Sequence, residues 1–247
     1  MVSIQQTLSG DRLAVNRGCC RDGSVELWGL DLESGRVDRQ LLSSLEWERA
    51  SSYQDERLRQ RFIRLKGLQR RILGRYLHCE PSAVTYAYGP QGKPELPGTH
   101  LFFNLTHSGD RAILAIASQP VGVDLESLSR PIRDPLALAV RFFPAGEVAR
   151  LRQVSPDHQR QQFIQSWVVK EAYLKGLGVG LAGQLESLDY RHTDHGPRLA
   201  REGRELVWSL RAGAPWVGWW AAIATLNPPT SIRWQQWTED EENPQNS

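Results

Sequence analysis

Cysteine is scarce in this chain of 247 residues, and its placement excludes two classes of protein. The three cysteines are Cys19, Cys20 and Cys79. Two adjacent cysteines and one distant cysteine provide neither a disulfide framework nor the paired spacing of a zinc site. We therefore expect a protein of the reducing cytoplasm.

Long apolar runs and an excess of charge of one sign are also missing. The longest apolar stretch, 216–226, is too short to span a bilayer. The sequence shows no charged start followed by an apolar segment, so we expect no secretory signal. With 30 basic and 28 acidic residues the formal net charge is +2, which gives no general argument for binding nucleic acid or a membrane. The phosphate-binding pattern GxxxxGK(S/T) does not occur either.

What the chain does contain is a pair of carboxylates in one short segment. Residues 121–126 (VGVDLE) alternate as a β-strand does, so the side chains of Asp124 and Glu126 point to the same face. Such a pair can be the solvated face of an antiparallel sheet. It can also be part of a metal site, and the choice depends on what packs against the strand.

A second segment has helical spacing and adds further charge. In residues 167–176 (WVVKEAYLKG), Glu171 and Lys175 are four apart and share a helical face. By itself this spacing is typical of a surface ion pair. If the helix packs against the strand, however, three carboxylates and one ammonium converge, and three hard oxygen ligands suit Mg²⁺.

Internal similarity indicates a duplication. Residues 29–34 (GLDLES) resemble 122–127 (GVDLES), and 60–63 (QRFI) resemble 161–164 (QQFI) at an offset of 101 residues. Coincidence between helices rich in leucine and arginine is the alternative. A true repeat predicts two copies of one strand-helix-helix unit, each burying a face against the other, with a ligand site in the cleft between them.

The repeat divides the chain into an N-terminal half, 1–118, and a C-terminal half, 119–247. At the offset of 101, Arg70 occupies the position that corresponds to Glu171, so the helical carboxylate occurs in the second half alone. Periodicity and turn signals predict the regular elements. They are a strand at 25–32, a helix capped by Ser43 and Glu46, a helix at 55–77, a hairpin of 100–108 and 111–117, helices at 135–152 and 157–176, and strands within 181–234. An unstructured start to about residue 24 and a disordered tail from about residue 239 are expected.

Several short motifs occur in a fixed order along the chain. They are GKP at 92–94, FNLTHS at 103–108, GVDLE at 122–126, RFFP at 141–144 and WVVKEAYLK at 167–175. In this order and spacing the chain resembles the Sfp-type 4′-phosphopantetheinyl transferases.

The resemblance implies a fold and a reaction. The fold is an α+β pseudo-twofold duplication of two similar α/β halves with the active site in the cleft between them. The activity is that of a holo-[acyl-carrier-protein] synthase, which moves 4′-phosphopantetheine from coenzyme A to a serine of an apo carrier protein and releases adenosine 3′,5′-bisphosphate. The carriers served by such enzymes belong to fatty acid, polyketide or peptide synthases. A monomer is expected, because both halves of the cleft lie in one chain.

The resemblance also assigns roles to residues at the matching positions. The Mg²⁺ ligands are Asp124, Glu126 and Glu171, and the catalytic residues are Glu171, Lys175 and Asp124. Coenzyme A contacts are expected from Lys93, Thr106 and His107 in the N-terminal half, with Arg49 and Arg61 as further phosphate contacts. One position departs from the pattern, because Glu46 stands where some members carry a second basic residue.

Alternatives remain at two levels. Phosphoryl transfer asks for in-line positioning and charge neutralisation, to which Lys175 adds a positive charge. Glu171 can take the serine proton directly or through a metal-bound water, while His107 is a second candidate base and a better candidate phosphate contact. At the level of function, the chain could be a catalytically silent binder of coenzyme A or of a carrier, or a Mg²⁺ enzyme for another pyrophosphate.

Overall fold

The structure, a computed structural model, describes residues 22–180 and 184–238. In the first half of the chain it contains β1 (Ser24–Asp31), α1 (Ser44–Ser51), α2 (Glu56–Leu77), β2 (Ala87–Tyr88), β3 (Pro94–Glu95), β4 (Phe102–Ser108) and β5 (Arg111–Ala117). The expected disordered tail and most of the expected unstructured start lie outside the described residues.

The second half is longer between its first strand and its long helix. It contains β6 (Val121–Ser127), α3 (Pro135–Phe142), α4 (Ala145–Arg152), α5 (Pro156–Leu177), β7 (Leu188–Thr193), β8 (Gly196–Arg201), β9 (Arg204–Glu205), β10 (Ser209–Gly213), β11 (Trp219–Thr225) and β12 (Ser231–Gln236). Single 3₁₀ turns occur at Arg39–Leu41, Pro81–Ala83 and Leu185–Ser187.

Local chemistry determines where the helices of the first half begin and end. Helix α1 starts at the predicted capping box, in which the Ser43 side chain accepts from the Glu46 N–H and the Glu46 carboxylate accepts from the Ser43 N–H. The Asp55 carboxylate caps α2 by accepting two backbone N–H groups. Helix α2 ends at His78, which takes the left-handed conformation with φ of 52°.

The single helix predicted at 135–152 is wrong, because the chain forms α3 and α4 there. Pro144 has no N–H to donate to a continuing helix. The residue before a proline is pushed into extended backbone, and Phe143 has φ of −118° and ψ of 153°. The break turns the chain and brings α4 against α5.

Two sheets carry the duplication. The first has the strand order β12-β1-β5-β4 and the second has the order β10-β11-β6. In each, the opening strand of the half pairs antiparallel with a later strand, β1 with β5 and β6 with β11. That later strand pairs in turn with a third, β4 or β10. The α+β fold predicted from the sequence is confirmed.

The long helices correspond residue by residue, although not at the predicted offset. Helices α2 and α5 are each 22 residues long and stand 100 positions apart. The linker before α5 is one residue shorter than the linker before α2, so Arg70 corresponds to Lys170 rather than to Glu171. Both of these cations are buried and pair with a glutamate of the preceding helix.

The core lies in three clusters that order the molecule into layers. One cluster packs α2 against the outer face of the first sheet, and another packs α5 against the outer face of the second. The third lies between the sheets and includes the apolar residues of β6, Val121, Val123 and Leu125. Because side chains alternate along a strand, Asp124 must face α5.

Strand β12 joins the two halves. It comes from the end of the chain but pairs in parallel with β1, at the edge of the first sheet. The division at residue 118 therefore stays a prediction.

Cys79 is a free thiol, and no helix in the described part of the chain is long and apolar enough to cross a bilayer.

Candidate active site

Strand β6 and helix α5 meet at their backbones. A Cβ atom added to Gly122 would lie 2.0 Å from the carbonyl oxygen of Ala172 and 2.2 Å from the amide nitrogen of Gly176. Only glycine allows two elements to approach so closely. Because Gly122 and Asp124 share a face of β6, this approach directs the Asp124 carboxylate at α5.

Asp124 is buried on that face, with 3% of its surface exposed. Its Oδ1 accepts hydrogen bonds from the Thr106 hydroxyl at 3.0 Å and from the Lys175 ammonium. Its Oδ2 is buried and finds no hydrogen-bond partner in the described residues. Burial raises the pKa of Asp124, against the opposing effect of Lys175 and Thr106. A buried carboxylate oxygen of this kind needs a cation or a donor.

Glu171 and Lys175 reach the same place from α5. The Lys175 Nζ atom lies 3.7 Å from Glu171 Oε2 and 3.2 Å from Thr106 Oγ1. Burial, and next the Asp124 carboxylate, raise the pKa of Glu171 to about 7. The structure thus brings together the three residues predicted to be catalytic.

Glu126 lies two residues along β6, where the site opens towards solvent. Its carboxylate accepts a hydrogen bond of 2.6 Å from the Ser108 hydroxyl and pairs with Arg130, which is half exposed. Burial raises the pKa of Glu126, while Ser108 and Arg130 oppose that shift. All three predicted metal ligands therefore have a raised pKa, and burial is the largest cause in each.

The side chains are not arranged as a metal site. Within residues 22–180 and 184–238, no group of three or more acidic, histidine or cysteine residues is placed to hold a metal ion. Lys175, Ser108 and Arg130 engage the carboxylate oxygens that would do so. The chemistry of the donor set nevertheless fits Mg²⁺, which prefers carboxylate oxygens. Burial destabilises the charged forms of the three carboxylates, and a divalent cation would offset that cost. The buried Oδ2 of Asp124, which has no partner among the described residues, is open to such an ion.

Three of the residues predicted to contact coenzyme A lie on β4 or near it. The Lys93 Nζ donates to the carbonyl oxygens of Gly176 at 2.8 Å and Val121 at 3.2 Å, so it ties the end of α5 to β6. Burial lowers the pKa of Lys93 to about 8. Thr106 is buried with its hydroxyl towards the carboxylates. His107 is exposed and, as the next residue on the strand, points to the other face of β4.

Arg49 and Arg61 lie on the side of the helices α1 and α2. Arg61 pairs with Glu33. No ion pair of Arg49 occurs among the described residues, and its guanidinium carbon lies 5.8 Å from the centroid of the Phe62 ring. Desolvation of the ring by its neighbours and then the charge of Lys175 are the larger causes of the lowered pKa of His107, and Arg49 and Arg61 lower it further.

Three polar residues of the site, Asn104, Ser108 and Arg130, were not predicted from the sequence. The Asn104 Oδ1 accepts from the Val123 N–H at 2.8 Å and so aligns β4 with β6. Asn104, Thr106 and Ser108 alternate along β4 and all face β6. This period of two was visible within the FNLTHS motif and could have predicted both missed residues of the strand. Nothing in the sequence singled out the third, Arg130.

Comparison with known proteins identifies the family. The family model of the 4′-phosphopantetheinyl transferase superfamily matches residues 120–224, which run from β6 into β11. The 4′-phosphopantetheinyl transferase HetI of Nostoc sp. is 38% identical over 210 residues, which cover 81% of this chain and 86% of that protein. This chain belongs to the 4′-phosphopantetheinyl transferases. The family and the enzyme class predicted from the sequence are confirmed.

Other 4′-phosphopantetheinyl transferases match over shorter lengths. Sfp of Bacillus subtilis is 36% identical over 131 residues, which cover 51% of this chain and 56% of that protein. A protein of Synechocystis sp. is 38% identical over 152 residues, or 61% of its own length. A structure of a holo-(acyl-carrier-protein) synthase from Bacillus anthracis in complex with CoA is 17% identical and covers 42% of this chain and 92% of that chain. Its TM-score of 0.35 is too low to establish a shared arrangement.

Proposed function

We propose that this protein transfers the 4′-phosphopantetheine arm of coenzyme A to a serine of an apo carrier protein, with Mg²⁺ held by Asp124, Glu126 and Glu171. The observation that carries the proposal is the buried Asp124 carboxylate facing Glu171 and Lys175 across the contact of β6 with α5. The same reaction releases adenosine 3′,5′-bisphosphate.

A divalent cation suits the three carboxylates on electrostatic grounds. Burial disfavours the charged form of each, and the Asp124 carboxylate raises the pKa of Glu171 further. When bound, Mg²⁺ supplies Lewis-acid polarisation of the pyrophosphate and neutralises its charge. Glu126 accepts from Ser108 on one carboxylate oxygen and pairs with Arg130 on the other, and each oxygen keeps a further lone pair for a metal ion.

Lys175 is placed to change partner during the reaction. Its side chain is 28% exposed, and its ammonium contacts the buried Oδ1 of Asp124. A lysine ammonium has three donors, so it can keep one bond within the site and donate another to a pyrophosphate oxygen. There it stabilises the charge that develops on the leaving group.

Glu171 is the candidate acceptor of the serine proton. Without a metal, burial and the Asp124 carboxylate raise the pKa of Glu171 to about 7, in the range of a general base that works near neutral pH. A Mg²⁺ ion held by Glu171 would lower this pKa and make the carboxylate a weaker base. The serine oxygen forms a bond to the β-phosphorus of coenzyme A, the bond from that phosphorus to the bridging oxygen breaks, and the bridging oxygen leaves with its electron pair. The proton of the serine goes to Glu171, either directly or through a water.

The phosphates of coenzyme A are assigned to the N-terminal half. We place Lys93, Thr106 and His107 against them, with Arg49 and Arg61 further out. Lys93 donates to two backbone carbonyls, so binding asks its ammonium to exchange at least one of them for a phosphate oxygen. The His107 imidazole is exposed and needs no such exchange.

The partner is proposed to be an acyl carrier protein or the carrier domain of a fatty acid, polyketide or peptide synthase. We further propose a cytoplasmic monomer, because the strands and helices of both halves come from one chain. Charge complementarity towards an acidic carrier would act through the exposed arginines of the N-terminal half rather than through net charge.

Intact mass spectrometry of the carrier tests the proposal. An apo fatty acid carrier and an apo peptidyl carrier are each incubated with the protein, coenzyme A and Mg²⁺, and EDTA is the control. The expected result is a gain of one phosphopantetheine that EDTA abolishes.

A second candidate, a silent binder of coenzyme A, is favoured by the engagement of the carboxylates with Lys175, Ser108 and Arg130. Coenzyme A binding with no mass gain on either carrier would support that candidate instead.

A further inference from the structure

Strands β4 and β6 are edge strands of different sheets, and side chains of β4 bridge the two at the candidate site. Strand β4 ends the first sheet and β6 ends the second. Three alternate residues of β4 make hydrogen bonds to β6, and they are Asn104, Thr106 and Ser108. Asn104 accepts from a backbone N–H of β6, whereas Thr106 and Ser108 donate to the carboxylates of Asp124 and Glu126. The N-terminal half therefore supplies groups that hold two of the proposed metal ligands.

Ser108 has a defined position at the end of β4. It is the last residue of the strand and lies opposite Arg111 in the register of β4 with β5. Two residues, Gly109 and Asp110, connect the strands, and Gly109 has a positive φ of 55°. Because so short a connection fixes the register of a hairpin, the backbone of two paired strands holds the Ser108 side chain in place.

The Glu126 carboxylate lies between a partner on β4 and a partner nearer to solvent. Its Oε2 accepts the hydroxyl of Ser108 at 2.6 Å, and its Oε1 contacts the guanidinium of Arg130. A hydroxyl bond of this length to a carboxylate is in the range of charge-assisted hydrogen bonds. The side chain of Arg130 is 50% exposed, whereas that of Glu126 is 15% exposed. An exposed ion pair orders a carboxylate weakly, so Ser108 is the partner that can fix its orientation.

We infer that Ser108 is a positioning residue that orients the Glu126 carboxylate beside Asp124 for Mg²⁺. The inference rests on the proposed function, and it gives the last residue of the FNLTHS motif a role in metal binding. Groups that hydrogen-bond a metal ligand fix its orientation, and their loss typically lowers metal affinity by about 10–100-fold. Without the Ser108 hydroxyl, the hydrogen-bonding partner left to Glu126 among the described residues is Arg130, which would draw the carboxylate towards solvent.

Binding of Mn²⁺, followed by the loss of the electron paramagnetic resonance signal of the free ion, tests the role of Ser108. Mn²⁺ takes the same hard oxygen ligands as Mg²⁺. The titration uses the full chain saturated with coenzyme A and no carrier, so that no turnover occurs. We expect Ser108→Ala to raise the Kd for Mn²⁺ by about tenfold or more. Ser108→Thr keeps the hydroxyl and should restore the Kd to within about threefold of the wild type.

Two controls separate positioning from support of the fold. The matched variant is Ser129→Ala, whose hydroxyl pairs with that of Ser127, and it should bind Mn²⁺ as the wild type does. The Kd for coenzyme A without a metal should be the same in every variant, because Ser108 is assigned to Glu126 rather than to a phosphate. A thermal unfolding curve shows whether each variant is folded. Ser108→Cys, which keeps the size and weakens the donor, replaces Ser108→Ala if the latter does not fold.

The outcomes separate this inference from the proposed function. A wild-type protein that modifies a carrier in a metal-dependent reaction, with a Ser108→Ala variant of unchanged Kd for Mn²⁺, would overturn the role of Ser108 and leave the transferase intact. Equal losses of affinity for Mn²⁺ and for metal-free coenzyme A would also overturn it, because Ser108 would then support the fold as a whole. A wild-type protein that binds no Mn²⁺ and modifies no carrier would overturn both.

Discussion

At Asp124 a change of one atom is enough to test the candidate metal site. Its Oδ1 already serves Thr106 and Lys175, whereas its Oδ2 is buried without a partner in the described residues. An asparagine would keep the carbonyl oxygen for Thr106 and Lys175. It would remove only the negative charge and the second oxygen, the two properties that a metal ligand requires.

We expect Asp124→Asn to abolish turnover while the protein stays folded. Loss of one charged ligand should remove several kcal/mol of transition-state stabilisation, so the rate of carrier modification should fall by ~100-fold or more. The measurement is the initial rate by intact mass, together with a circular dichroism melt. Asp157→Asn, on the exposed start of α5, is the control and should keep its rate. A normal rate for Asp124→Asn would remove Asp124 from the reaction.

At the scale of elements, each half contains a buried ion pair between its short and its long helix. In the first half Glu46 of α1 pairs with Arg70 of α2, and in the second Glu147 of α4 pairs with Lys170 of α5 at 2.8 Å. Lys170 is fully buried and lies 3.6 Å from the centroid of the Phe143 ring. Breaking such a pair leaves an uncompensated charge, so it holds α4 in place against α5.

This pair should make stability depend on pH. Burial lowers the pKa of Lys170 to about 8, against the opposing effect of Glu147, while the usual value is 10.5. Between these two pH values the unfolded chain binds more protons than the folded chain, so the free energy of unfolding should rise with pH. The gain should be at most ~3 kcal/mol.

Urea unfolding at pH 7.5, 9 and 10 measures this gain in the wild type and in the double variant Glu147→Gln/Lys170→Met. The difference between the two proteins isolates the pair, because they share all other titrating groups. Parallel curves for the two proteins would show that Lys170 does not titrate in this range.

The contact of β6 with α5 depends on a missing side chain. A Cβ atom at Gly122 would overlap backbone atoms of α5, which cannot move aside as a flexible side chain can. We expect Gly122→Ala to lower the free energy of unfolding by ~3 kcal/mol or more, because the helix carrying Glu171 must shift. Gly67→Ala in α2 is the matched control, since its Cβ would meet only a leucine methyl group at 3.8 Å. It should stabilise the protein by ~0.5–1 kcal/mol. Equal stabilities in urea would contradict the close packing.

At the scale of the whole molecule, β12 ties the end of the chain to its first strand. Glu26 of β1 is buried, and its carboxylate accepts hydrogen bonds from Tyr76 of α2 and from Arg233 and Gln235 of β12. The N-terminal sheet is therefore incomplete without residues that come from the C-terminal end. Without β12, Glu26 would lose two donors and β1 would become an open edge.

Truncation tests this closure. We expect a chain ending at Asn227, which lacks β12, to unfold at least ~10 °C lower than the wild type, because several kcal/mol of strand pairing and charge pairing are lost. A chain ending at Thr238 keeps β12 and is the control, with little expected change in Tm. By the same argument, residues 1–118 alone should not unfold cooperatively. Cooperative unfolding of that fragment would instead establish the N-terminal half as an independent domain.

Much of the local structure followed from signals within a few residues. The capping box at Ser43 and Glu46, the start of α2 at Asp55 and the hairpin of β4 and β5 are all short-range, and the structure has them where they were predicted. The break at Pro144 was also a short-range signal, but helical periodicity on both sides concealed it.

The sequence by itself determined the family, the α+β class and the meeting of Asp124, Glu171 and Lys175. The periods of strands and helices determine which side chains share a face. For Asp124 and Glu171 to meet, it was then enough that β6 and α5 pack together. The tertiary structure alone decided the rest. Lys93 binds two carbonyls, Ser108 and Arg130 hold Glu126, and β12 completes the first sheet. These contacts join residues far apart in the chain or depend on which of several partners a charged group reaches, and neither is encoded in local spacing.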